Sequence, residues 1–270
     1  MTATGRAIFR RAARAIDRVS PPQPGVALLI YHRIGGGSDS GVDIDANAFE
    51  RQMSYLHDRG NVVSLDRAVA AFAAGDRSCD AKVVLTFDDG TNDFVEVAAP
   101  IMAKYALPAT LYLATSFVDA QTMFPWGAPP ITWGGLNDIC STGLVTVGSH
   151  THAHHLLDRV GLAIAIADLD KSIELIGTHT GRAPAHFAYP KAIAPTLCVH
   201  NAVARRFRSA ALARSRINVV HKTNPYSLWR TPIQRADTFD DFVTKTSGGL
   251  RWEGEARALI GRAKYRNAAQ

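Results

Sequence analysis

Short apolar runs alternate along this chain with stretches in which apolar residues recur every three or four positions. Val26–Tyr31, Val83–Phe87, Ala109–Ala114, Leu144–Val147 and Ala185–Tyr189 are mostly continuous apolar runs, the pattern of strands buried on both faces. Asn61–Val63, residues 208–212, 217–221 and 228–233 add shorter strand candidates. Between them, Phe49, Met53 and Leu56 mark one helix, Leu65–Phe72 a second and Phe94–Tyr105 a third. Trp133–Cys140, Ala163–Ile176 with a stop at Gly177, residues 196–206, Asp240–Thr246 and Glu253–Tyr265 complete the helical set. Strands that alternate with helices predict a parallel sheet or barrel. The segment 115–132 reads as a long loop rich in aromatics and proline, the kind that carries function in a compact domain.

The two ends differ from the middle. Residues 6–19 predict a short basic amphipathic helix, with Ile8, Ala12, Ala15, Ile16 and Val19 on one face and Arg6, Arg10, Arg14 and Arg18 at four-residue steps. Ser20–Gly25 holds three prolines and breaks the chain. The expected organisation is therefore a basic helix over 1–20, a linker over 21–25 and one α/β catalytic domain over 26–270. Lys and Arg number 30 against 24 Asp and Glu, a net charge of +6 with the excess near the termini. That charge admits an anionic membrane surface or nucleic acid as partner. No basic-aromatic pattern or nucleic-acid motif accompanies it, so no nucleic acid is expected. Peripheral membrane contact through residues 6–19 stays open. Three distant cysteines imply no disulfide framework. An arginine-rich N-terminus without an apolar core is unlike a secretory signal, and no run of about 18 apolar residues suggests a membrane span. A cytoplasmic chain is expected, with the inner membrane face as the alternative address.

Chemistry concentrates at two strand ends. Val83–Phe87 runs into Asp88, Asp89 and Gly90. Two adjacent carboxylates at the end of a buried strand need a partner that supports their charge. Ser149–His155 carries four histidines directly after another apolar strand, with His150 and His154 four apart. Neutral imidazoles with one carboxylate form a common set of ligands for Zn²⁺ and related metals, and three protein ligands mark a catalytic centre. Neighbouring residues at a strand end point different ways, so one aspartate can hold metal while the other faces the reacting water. His152 and His155 can be supporting groups or bystanders.

Thr86-Phe87-Asp88-Asp89-Gly90, His150-Thr151-x-x-His154 and Phe187-Ala188-Tyr189-Pro190 resemble the first three motifs of the polysaccharide deacetylase family, the NodB-homology domains of carbohydrate esterase family four. The resemblance covers roughly residues 26–235. It implies a single-domain distorted (β/α) barrel, TIM-like with about seven strands, and a hydrolase that removes acetyl groups from sugars with a divalent metal, Zn²⁺ first and Co²⁺ or Ni²⁺ next. By the same resemblance Asp88 is the general base, Asp89, His150 and His154 hold the metal, and the Tyr189 backbone N–H helps hold the oxyanion. Trp126, Trp133 and Pro190 are expected to contact an acetylated carbohydrate.

Two departures from the family pattern matter. Ala188 stands where an arginine usually braces the base, and the Phe-Ala-Tyr-Pro form resembles the exopolysaccharide branch. The usual C-terminal Leu-x-His strand is not evident after residue 235, yet Leu28-Leu29-Ile30-Tyr31-His32 has that form. It resembles the permuted poly-N-acetylglucosamine deacetylases and implies His32 as general acid, a role suited to a near-neutral pKa. His221, after Ile217–Val220, is the rival for that role, and Leu228-Trp229-Arg230 resembles a structural strand. The Ala188 substitution also admits a weak or inactive family member that binds glycans or acts as a scaffold in polysaccharide biosynthesis.

Overall fold

The computed structural model describes residues 10, 11, 13–17 and 19–255. Seven parallel strands close a barrel: β1 (Ala27–Tyr31), β4 (Val83–Phe87), β5 (Ala109–Leu113), β6 (Val145–Ser149), β7 (His186–Ala188), β8 (Ser209–Ala213) and β9 (Leu228–Pro232), with β9 returning to β1. A separate two-stranded ladder joins β2 (Arg33–Ile34) to β3 (Asp43–Ile44). The expected barrel and strand number are both observed.

Alternate strand residues separate into two packed layers, as the two-residue period of a strand requires. Leu29, Tyr31, Leu85, Phe87, Leu111 and Leu113 pack in one cluster with Phe49, Met53 and Leu56 of helix Ala46–Arg59. Leu28, Val84, Tyr112, Ala188, Ala211 and Leu228 form the other, closed at one end by Leu65, Val69 and Phe72 of helix Leu65–Ala74. Gly148 on β6 has to be a glycine here, because a Cβ would lie 2.5 Å from the Tyr112 ring.

Register sets the working end. Tyr31 pairs with Phe87, so β1 and β4 stop at the same level and deliver His32 and Asp88 side by side. Leu113 pairs with Ser149 and Ser149 with Phe187, which brings the residue after β6 to the same rim.

Several local expectations change. The helix expected to stop at Gly177 runs Leu162–Thr180 and stops at Gly181, whose φ of 71° makes the left-handed cap. A glycine ends a helix only where the chain turns out of it, and Thr180 still caps Ile176 O through its hydroxyl. Val62 makes one bridge to Val83, and the segment 217–221 one antiparallel bridge, Val26 to Asn218; neither is a full strand. The long segment 115–132 contains helix Thr115–Ala120.

Where described, residues 10–19 are helical; residues 6–9, 12 and 18 of the expected basic helix lie outside the described set, as do residues 256–265 of the expected closing helix. Arg10 is buried and meets Asp237, Asp241 and Glu253, while Arg14 meets Asp241. Lys245 pairs with Asp237 as well. The arginines of this helix that are described inward are thus matched by protein carboxylates. No helix among the described residues is long and apolar enough to cross a membrane.

Candidate active site

Asp88 leaves β4 with its N–H donated to Tyr31 O. Asp89 follows in the left-handed region at φ 76° and Gly90 at φ 94°. That reversal turns the two carboxylates apart, and a side chain at residue 90 would put its Cβ 2.4 Å from Leu113 Cδ1. A non-glycine residue held at positive φ costs free energy that its surroundings have to offset.

Asp88 is buried and gripped in a two-pronged ion pair by Arg230, at 2.5 Å from Nη1 to Oδ1 and 2.8 Å from Nη2 to Oδ2. Burial alone would raise its carboxyl; the guanidinium, with the imidazoles of His150 and His32, holds it below the usual range. Arg230 itself is fully buried in the barrel, 5.1 Å over the Tyr112 ring, and donates further to Leu212 O and Thr86 Oγ1. It supplies the brace that Ala188 does not. Sequence reasoning missed it by reading Leu228–Arg230 as a purely structural strand. The available signal was an arginine inside an apolar strand, which has to find an acid.

His150 follows β6, and its Nδ1 lies 2.8 Å from Ala188 O. A carbonyl only accepts, so Nδ1 carries the hydrogen and Nε2 keeps its lone pair. That lone pair faces Asp89 Oδ1 at 3.6 Å and Asp88 Oδ2 at 3.9 Å. Burial, only partly offset by Asp88, lowers the His150 pKa to about 4, so the ring is neutral near pH 7. His154 Nε2 lies 3.4 Å from the same Asp89 oxygen, and the two imidazoles sit 5.0 Å apart. Burial would raise the Asp89 carboxyl too, but the hydrogen bond from His154 and the charges of His32 and His150 hold it far below the ordinary range.

The ligand atoms of Asp89, His150 and His154 all lie within 4.8 Å of one another. One carboxylate oxygen facing two imidazole nitrogens, one of them fixed as a lone-pair donor, is a donor set that fits a divalent ion with room for further ligands. The other two histidines of the cluster are occupied elsewhere. His152 Nδ1 contacts Thr115 Oγ1 at 3.0 Å, and His155 Nδ1 faces Asp168 at 3.6 Å.

His32 is half-buried beside the two aspartates, close enough for its charge to lower both. Its Nδ1 is buried with no hydrogen-bond partner among the described residues. His221 sits at the opposite mouth, in a cleft of about 210 Å³ shared with Gln23, Pro24 and Asp80, which precede β1 and β4. The rival is thereby removed from the reacting end.

Three expected contacts change. Tyr189 N–H donates to Ala211 O at 3.0 Å as part of the barrel ladder, so it is not free for an oxyanion. Pro190 has no N–H, and the first N–H beyond is that of Lys191, held at φ 52°. Pro190 is buried and opens a 3₁₀ turn, Pro190–Ala192; it shapes the backbone rather than presenting a surface. Trp133 stacks flat on His179 at 4.2 Å in the helical layer, which fixes it as packing. Trp126 does reach the site: its ring is 36% exposed, meets His154 edge-on at 6.4 Å, and rests on Phe124, itself stacked on Phe117. Lys191 Nζ lies 5.4 Å over the same ring.

The polysaccharide deacetylase family model matches residues 75–205, the part of the chain that carries both aspartates and both histidines. YxkH of Bacillus subtilis strain 168, described as a polysaccharide deacetylase, is 32% identical over 87 residues, covering 32% of this chain and 30% of that protein. The poly-beta-1,6-N-acetyl-D-glucosamine N-deacetylase of Escherichia coli K12 is 26% identical over 148 residues, covering 50% and 22% respectively. The chain thus spans under a third of the length of these curated relatives. In fold it resembles the Streptococcus pyogenes deacetylase PplD in complex with acetate, with a TM-score of 0.74 at 20% identity over 83% of this chain and 99% of that one.

Proposed function

We propose that this chain, whose residues 75–205 match the polysaccharide deacetylase family model, hydrolyses the N-acetyl group of an N-acetylhexosamine in a polysaccharide, oligosaccharide or lipid- or nucleotide-linked sugar. The observation that carries this reading is the convergence of Asp89, His150 and His154 beside an Asp88 kept ionised by Arg230. A divalent cation held by Asp89, His150 and His154, Zn²⁺ by preference, would supply Lewis acidity at the amide carbonyl.

The protein's own groups account for the proton movements. Asp88 takes a proton from water as its oxygen adds to the carbonyl carbon, and the Arg230 brace keeps it ionised and aimed. Charge develops on the carbonyl oxygen, and the Lys191 N–H is the next backbone donor along the chain after the Tyr189 N–H taken by the ladder. His32 gives a proton to the nitrogen as the carbon–nitrogen bond breaks, releasing acetate and the free amine. Trp126 offers an apolar face to the sugar ring.

Acetate release from N-acetylglucosamine oligomers, measured with Zn²⁺ added, tests the reading. Asp88→Asn is expected to keep metal and lower turnover by about 10²–10⁴-fold; unchanged turnover, or no acetate from any N-acetylated sugar, overturns it. The alternative of an inactive scaffold draws its support from Ala188; the Arg230–Asp88 ion pair favours the active reading.

A further inference from the structure

His154 is a metal ligand held at φ 56°, three residues after Thr151 at φ 69°. Two left-handed non-glycine residues within four positions do not persist unless the surroundings over-determine them. On one side, Thr115 and Ser116 donate their N–H groups to Thr151 O and His152 O, and Thr115 Oγ1 meets the His152 ring. Ser149 Oγ accepts the Thr151 N–H at 3.2 Å, and a carboxylate holds the next two residues. Asp168, on helix Leu162–Thr180, is 7% exposed and directs both carboxylate oxygens at this loop. Oδ1 accepts Ala153 N–H at 2.7 Å and Oδ2 accepts His152 N–H at 3.2 Å. The His155 ring stands 3.6 Å from Oδ1. The residue between these three is His154.

We propose that Asp168 is the positioning residue of the metal centre: it sets the direction of His154 toward Asp89 by gripping the backbone on its N-terminal side. The inference rests on the reading of Asp89, His150 and His154 as metal ligands. It extends that reading to a group which touches neither metal nor substrate. An aspartate in the second turn of a helix gains nothing from the helix itself; here its two oxygens accept backbone N–H groups of the loop. Hydrogen-bonded carboxylates that orient a ligand typically govern metal affinity by about 10–100-fold.

The test uses the whole chain and Co²⁺ as a probe, with binding and geometry followed by its visible absorption. Unfolding of the metal-free protein in urea is measured in parallel. Asp168→Ala is expected to weaken Co²⁺ binding by about 10–100-fold and to change the band shape. Asp168→Asn, which keeps one acceptor, is expected to fall between Ala and wild type, with a urea midpoint nearer wild type. Asp66→Ala, at the far end of the barrel, is expected to bind Co²⁺ as wild type does. Wild-type affinity and spectrum in both Asp168 variants, whatever their urea midpoints, overturn the proposal. Should the alanine variant fail to fold, the asparagine variant decides in the same way. A wild type that binds no Co²⁺ defeats the metal reading itself and this inference with it.

Discussion

Both mouths of this barrel carry a carboxylate–histidine arrangement, and they differ in what each leaves unspent. At the floor, where strands begin, His186 is fully buried, with Nδ1 2.8 Å from Ser209 Oγ and Nε2 3.2 Å from Asp66 Oδ1. Both ring nitrogens are spent, and Ser209 is itself buried. At the rim, His150 spends only Nδ1, on Ala188 O, and its Nε2 faces a carboxylate at 3.6 Å rather than bonding to it. A serine, a histidine and an aspartate in line are a packing device when nothing is left over. A site needs an unspent lone pair and a neighbour that shares its target, as His154 shares Asp89.

The largest expected effect breaks the rim and spares the floor. Asp89→Ala should abolish metal uptake, assayed by metal content after dialysis, whereas Asp66→Ala should leave it unchanged. Next comes the pair of histidines at opposite mouths: His32→Ala is expected to lower acetate release by about 10²–10⁴-fold with metal retained. His221→Ala should change neither turnover nor, beyond about 0.5 kcal/mol, stability.

Arg230→Gln sharpens the role of the brace. It leaves a buried carboxylate without its partner, at a cost of about 3–5 kcal/mol by urea unfolding. Asp88 has to be ionised to act as a base, and in the native protein the guanidinium outweighs the burial that would raise its pKa. Without it burial prevails, so the acid limb of the pH profile should move to higher pH. An unmoved limb would mean that Asp88 is not the group that limits the rate in acid.

The smallest effect concerns stability and pH. Burial lowers the pKa of His186 and takes that of His150 to about 4. A histidine whose folded pKa lies below its unfolded value of about 6.5 leaves the folded state with fewer bound protons. Stability therefore falls as pH drops below about 6.5 and levels off below the folded pKa. Each such ring contributes about 1.4 kcal/mol per pH unit in that window. In metal-free protein, His150→Asn should flatten the decline between pH 6.5 and about 4, and an unchanged slope would mean the ring is not buried neutral.

The rim residues proposed to hold a metal were legible because each is local. Asp88 and Asp89 sit at the end of one apolar run and His150 and His154 in one turn after another, so strand period and ligand chemistry sufficed. The barrel was legible for a related reason: parallel strands buried on both faces write themselves as apolar blocks. Arg230 was not, being 142 residues from Asp88 in the chain. The Tyr189 N–H was misplaced because its occupation by Ala211 depends on the pairing of β7 with β8. Trp126 and Trp133 were equally plausible as aromatics in a loop, and only their neighbours, His154 and His179, separate them.

From the order of residues alone came the alternation of strand and helix, the aspartate pair and the histidine turn, since these depend on neighbours within a few positions. Tertiary structure decided which nitrogen each histidine keeps, which arginine meets the base and which backbone N–H stays open. Those outcomes are matters of distance and burial between segments far apart in the chain, where a hydrogen bond made in one place removes the same donor from every other.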